Sequence, residues 1–201
     1  TDPKKSGKSG CMGDIGTHAA HLSEYITGSK ITHICADLNT VVEGRALEDD
    51  GNVLLRFENN INGVLMASQV AAGEENALKI RVYGEKGGLE WAQQEPNTLI
   101  VKWLDQPAQI LRAGVNYAGH LSSYATNNCR TPGGHPEGYL EAFGNLYRNF
   151  ALNLSARIDG TTPVKEALDF PTADDGIRGM AFINNVVKSG ESSEKWTAFE
   201  L

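Results

Sequence analysis

The chain has 201 residues, 40% hydrophobic and 21% charged, enough to bury a full core without disulfides or metal. Its 25 acidic and 18 basic side chains give a net charge of −7. That excludes a general nucleic-acid binder, since phosphate contact needs clustered positive charge. No apolar stretch approaches the roughly 20 residues that cross a bilayer, so no membrane partner is expected. The opening Thr1 to Lys8 has no apolar stretch behind its lysines for a secretory signal. Three cysteines, Cys11, Cys35 and Cys129, without a CxxC pair, argue against a disulfide framework or a structural zinc site and for a reducing, cytoplasmic compartment.

Residues 1 to 13, rich in Gly, Ser and Lys, read as a linker-like lead-in to a domain over 14 to 201. Ile15, Ala19, Leu22 and Ile26 recur with helical spacing and predict a helix over 14 to 27, capped by Asp14 and ended by Gly28. Strand-like segments follow at 30 to 42, 52 to 58, 63 to 72, 77 to 84, 89 to 91, 98 to 103 and 108 to 112. Asn62-Gly63 is a hairpin signal between two of them. Residues 113 to 135, with Gly114, Gly119, Gly133 and Gly134, read as a functional or mobile loop. Pro136 suits a first helical turn. Leu140, Phe143, Leu146, Tyr147, Phe150, Leu154 and Ile158 then form an apolar stripe, predicting a helix over 137 to 157. A last helix is expected over 172 to 189. Helix, strands, then helices make an α+β fold: an open, mostly antiparallel sheet with helices on one face. Its other face is apolar too and wants a partner, most simply a second copy.

Two segments carry candidate chemistry. In the first, Asp14 and His18 stand four apart at a helix start, where a carboxylate can orient an imidazole as a general acid/base. Gly13 and Gly16 would let a ligand approach the backbone. A structural cap-and-His pair fits the same spacing, and so does a metal site of Asp14, His18 and His21 in a hydrolase or isomerase, though no further ligand is evident. In the second segment Arg130, His135, Glu137 and Tyr139 cluster where a loop enters a helix, suited to anions or hydroxyls; a Pro-led helix start with an incidental His is the plainer alternative. Gly7-Lys8-Ser9 resembles the end of a P-loop, but Asp2 stands where its first Gly belongs. No GxGxxG follows a strand, so no Rossmann domain is expected within the chain.

Gly13-Asp14-Ile15-Gly16-Thr17-His18 resembles the GxxxDxGxH signature of the glucose–fructose oxidoreductase, inositol dehydrogenase and MocA (Gfo/Idh/MocA) oxidoreductases. Residues 134 to 147 and 170 to 180 are similar to that family's late helices. The resemblance implies a C-terminal substrate-binding and oligomerisation domain. NAD or NADP would be held by an N-terminal domain preceding Thr1, and the isolated chain would be inactive. It also implies a sugar or polyol substrate, His18 as acid/base and Asp14 as its polar partner, with no metal. His135, Arg130, Tyr139 and His21 become candidate substrate contacts, and the nicotinamide would lie near Gly13. Many members carry Asp where this chain has His21. A non-catalytic oligomerisation module is the reading left if Asp14 and His18 are structural.

Overall fold

Apolar residues at 53, 55 and 57 alternate with polar or exposed ones, so one face of that strand must turn inward. The computed structural model describes residues 2–115 and 121–201. In chain order the elements are α1 (Pro3–Ser6), a π-helical turn at Met12–Gly16, α2 (Thr17–Thr27), β1 (Ile31–Asn39), β2 (Asp50–Phe57), β3 (Asn62–Ser68), β4 (Lys79–Tyr83), β5 (Gly87–Ala92), β6 (Thr98–Trp103), β7 (Gln109–Arg112), α3 (Ser123–Asn128), α4 (Tyr139–Ile158), α5 (Ala173–Gly190) and β8 (Thr197–Ala198). They divide into two compact units, residues up to Glu75 with Thr172–Leu201, and Asn76–Pro171. Among the described residues no helix is long and apolar enough to cross a membrane.

The first unit is built on an antiparallel sheet of order β3-β2-β1-β8. Val53 pairs with Leu65, and Leu55 with Ile34. These side chains meet Met12, Phe182 and Val186 in the core. The α5 helix is fastened to β1 by Ser189, whose hydroxyl accepts from the Ala36 amide at 3.0 Å and donates to the Ile34 carbonyl at 3.2 Å. Asn185 fixes the chain end, exchanging hydrogen bonds with the Glu200 carbonyl and amide. The opposite face carries Leu54, Val64 and Met66, the last two 75% and 72% exposed.

In the second unit β4-β5-β6-β7 form another antiparallel sheet. The register sets Val82, Leu89 and Val101 in one row and Ile80, Trp91, Leu99 and Leu111 in the next, giving one apolar face. The other face bears Arg81, Glu90 and Lys102, with Lys102 paired to Glu90 at 2.6 Å. Alongside, α4 uses an asparagine stripe. Asn145 donates to the Asn128 carbonyl at 2.8 Å, Asn149 to that of Asp169 at 3.2 Å, and Asn153 to that of Ala167 at 2.6 Å.

The α+β class and the antiparallel strands agree with the expectation, but the strands fall into two four-stranded sheets. The lead-in expected over 1 to 13 is packed from Ser9 onward, because Cys11 and Met12 fill the core and are fully buried. Asp14 caps no helix; it lies inside the π turn. Gly28 does end α2 in the left-handed conformation. The turn between β2 and β3 uses Asn59 and Asn60, both at positive φ, while Asn62-Gly63 already belongs to β3. Helix α4 starts after Pro136, at Tyr139, because Glu141 reaches back to the Gly138 amide at 2.8 Å. The apolar stripe read for α4 is present but exposed, since the asparagines take the packed side. The loop expected over 113 to 135 contains α3; its residues 116–120, Gly119 among them, lie outside the described residues.

Candidate functional site

The site begins with a buried carboxylate. One oxygen of Glu48 accepts from the Gly10 amide at 2.8 Å, the Met12 amide at 3.2 Å and the Ser9 hydroxyl at 2.5 Å. Ser9 passes the contact on, accepting from the Gly13 amide at 2.9 Å. A negative charge here meets free amides at a helix start, where the dipole favours it. Beside it Asp49 accepts from the amides of Val41 at 2.7 Å and Val42 at 3.1 Å and from Arg45 at 3.2 Å. The Val41 amide above all holds the Asp49 carboxyl below its ordinary value against the opposing effect of burial, with Val42 and Arg45 adding to it.

The five-residue π turn then seats Met12 in the core. A Cβ on Gly16 would stand 2.7 Å from the Met12 sulfur, and one on Gly51 would stand 2.5 Å from its methyl. Gly16 is therefore small for Met12, not to admit a ligand as the sequence suggested. Burial pushes the adjacent Cys11 thiol up to about 12, helped by the negative charges of Glu48, Asp50 and Asp49. Such a thiol is a packing group rather than a nucleophile.

Asp14 and His18 are both exposed. π-helical turns occur often at functional sites, and here the turn carries Asp14 while α2 carries His18 in its first turn. Among the described residues the expected Asp14–His18 contact is not formed. Gln69 instead donates to the Asp14 carboxylate at 2.8 Å. His21 lies 3.9 Å from Asp175, and its ring centroid is 6.5 Å from that of Tyr25. No group of three His, Cys, Asp or Glu residues able to hold a metal occurs among the described residues.

Beneath α2 an ion pair ties the unit together. Glu24 receives both the Nε and a terminal nitrogen of Arg178 at 2.6 Å, the Ile31 amide at 2.7 Å and Lys30 at 3.2 Å. Arg178 also donates to the Ile31 carbonyl at 2.9 Å and lies 4.4 Å from the centre of the Phe199 ring.

The second candidate segment belongs to the other unit. His135 Nδ1 donates to the Pro132 carbonyl at 3.1 Å. The Glu137 carboxylate takes the amides of Arg130 and, at 2.7 Å, Thr131. It is thus the brace of the loop rather than a free acid. Tyr139 is exposed, with its ring 4.8 Å from that of Phe143. His135 and Arg130 are exposed as well.

Glu48, Gln69 and the Glu24–Arg178 pair escape sequence reading. Each acts across a long sequence separation; Arg178 falls within the 170 to 180 resemblance, but nothing local points to its partner. The serine and glycines at 9, 10 and 13 were a partial signal, marking a tight turn whose amides need an acceptor. Every strand pair among the described residues is antiparallel. The parallel strand–helix–strand unit that cradles a dinucleotide pyrophosphate is therefore not among them.

Residues 1–90 match the GFO/IDH/MocA C-terminal domain. An uncharacterised oxidoreductase of Bacillus subtilis, YfiI, is 32% identical over 99% of the chain, which covers 50% of that protein. The crystal structure of an oxidoreductase from Sinorhizobium meliloti is 41% identical with a TM-score of 0.85, over 93% of this chain and 51% of that one. An inositol dehydrogenase homologue from Azotobacter vinelandii, solved with NAD+, is 33% identical with a TM-score of 0.88, over 98% of this chain and 51% of that one. The same homologue has also been solved with NADH and myo-inositol. The chain thus spans about half the length of the relatives it matches.

Proposed function

We infer that the chain belongs to the GFO/IDH/MocA oxidoreductase family, and we propose that it is the substrate-binding and oligomerisation domain of an NAD- or NADP-dependent dehydrogenase acting on a sugar or polyol hydroxyl. The observation that carries this reading is the likeness to the Azotobacter homologue, whose structures hold NAD(H) and myo-inositol. In this reading His18 takes the proton of the substrate hydroxyl, and Asp14 orients that hydroxyl. The chemistry expected of a bound nicotinamide is acceptance of the hydride from the same carbon. The residues described here supply no cradle for its pyrophosphate, so the cofactor would be held by another part of a longer protein, with Gly13 nearest the nicotinamide. The chain alone would then transfer no hydride.

His21, Arg130, His135 and Tyr139 are proposed as further substrate contacts. His21 is the least free of them, since Asp175 stands beside it. Self-association is supported by exposed apolar surface. Leu54, Val64 and Met66 line one sheet face, and Phe143, Tyr147 and Phe150 stand out from α4. A cytoplasmic location is proposed because Cys11, Cys35 and Cys129 are all free, as suits a reducing compartment.

The test is polyol-dependent reduction of NAD+ or NADP+ by the full-length protein and its dependence on His18. Turnover indifferent to Asp14 and His18 would instead favour a non-catalytic oligomerisation module.

A further inference from the structure

We propose that Gln69 is a positioning residue for Asp14, fixing one oxygen of its carboxylate and leaving the other for the substrate hydroxyl; this rests on the oxidoreductase reading above. Gln69 is the first residue beyond β3, 55 positions along the chain from Asp14. Its side-chain Nε2 donates to Asp14 Oδ2 at 2.8 Å. A carboxylate only accepts hydrogen bonds, so the amide must present its nitrogen.

Both ends of this contact are anchored to the same dipeptide. The Gln69 amide donates to the Asp49 carbonyl at 2.8 Å. The turn that carries Asp14 is held by the Glu48 carboxylate through the amides of Gly10 and Met12. Glu48 and Asp49 are themselves buried, 9% and 1% exposed. Within this bracket the Asp14 backbone and the Gln69 backbone cannot drift independently. The side-chain bond then selects one orientation of an otherwise exposed carboxylate. Ordering such a group before substrate arrives removes that cost from the reaction.

Gln69 touches no reacting atom in this account and acts only through Asp14. A double-mutant cycle separates that role from a structural one. Turnover is measured on the full-length protein with NAD+ and the best substrate from a panel containing myo-inositol, other polyols and aldoses. Gln69→Ala should lower kcat roughly tenfold, the scale of one hydrogen bond to a charged group, with the KM for NAD+ unchanged. Its melting midpoint should stay within about 3 °C of wild type. In an Asp14→Ala background the same change should alter kcat less than about twofold. Gln69→Glu, of the same shape but setting a like charge against Asp14, should lower kcat further than Gln69→Ala. Wild-type kcat in Gln69→Ala, with Asp14→Ala impaired, would overturn the positioning role and leave the dehydrogenase reading intact. Losses that multiply in the double mutant would overturn it equally. Wild-type turnover in both Asp14→Ala and His18→Ala would overturn the roles given to those two residues, and the proposal with them, whereas no NAD+ reduction by the wild type on any of the panel would overturn the dehydrogenase reading itself.

Discussion

Glu24 keeps a charge inside the first unit, with its side chain only 6% exposed. Burial pushes its carboxyl up, but Arg178, the Ile31 amide and Lys30 together hold it below its ordinary value of 4.5. A carboxyl lowered on folding adds stability above its unfolded value and loses it as the pH falls through the folded one. The pair therefore contributes fully above about pH 4.5 and progressively less below it. Arg178→Leu strands the carboxylate and should cost about 3 kcal/mol at pH 7, the low end for a broken buried pair, because Lys30 and the Ile31 amide remain. The deficit should narrow between pH 7 and pH 4 as protonation relieves the stranded charge, which chemical denaturation at several pH values reads directly. A deficit that does not vary with pH would mean that Arg178 matters only for packing on Phe199. At this scale the sequence exposed the candidate site residues and hid the long-range pairs. Asp14 and His18 stand out because they share a short motif. Glu24 and Arg178 lie 154 positions apart, and no local pattern pairs them.

The π turn and α2 form the element that presents the candidate chemistry, and Gly10 is where it docks. A Cβ there would stand 2.0 Å from the Glu48 carbonyl oxygen. That oxygen also accepts the Cys11 amide at 3.0 Å, so it has little room to yield. Gly10→Ala should therefore destabilise by about 2 kcal/mol, within the usual cost of overpacking. For a chain of this size that lowers the melting midpoint by roughly 4–8 °C. An unchanged midpoint would show that the Glu48 segment moves freely, and the bracket around Asp14 would lose its basis. Elements with strong periodicity were legible: α4 and α5 lie within two residues of their expected bounds, and α2 ends where expected but begins three residues late, after the π turn. The π turn was not, since an extra residue in one turn leaves the apolar spacing of 15, 19, 22 and 26 undisturbed. The division into two sheets was not legible either. Alternation reveals that residues 79 to 83 form a strand but not which strands it joins. The α4 stripe shows a further limit, because periodicity finds an apolar face without telling whether the chain itself covers it.

For the whole molecule, the exposed apolar surfaces make self-association the natural expectation. Covering the outer face of β2 and β3 with a two-fold copy calls for a large interface, above roughly 2,000 Å² in total, typical of obligate assemblies. Sedimentation at micromolar concentration should give at least a dimer, and a stable monomer would contradict this. We propose that Asp14 and His18 act on a substrate hydroxyl. The most direct measurement is steady-state reduction of NAD+ and NADP+ by the full-length protein across polyols and aldoses, comparing wild type with His18→Ala and Asp14→Asn. Turnover is expected on at least one of these substrates, with kcat lowered about 10² to 10⁴-fold in His18→Ala, the usual share of one positioned acid/base, and a lesser loss in Asp14→Asn. No turnover on any of them, or equal turnover in wild type and both variants, would contradict it.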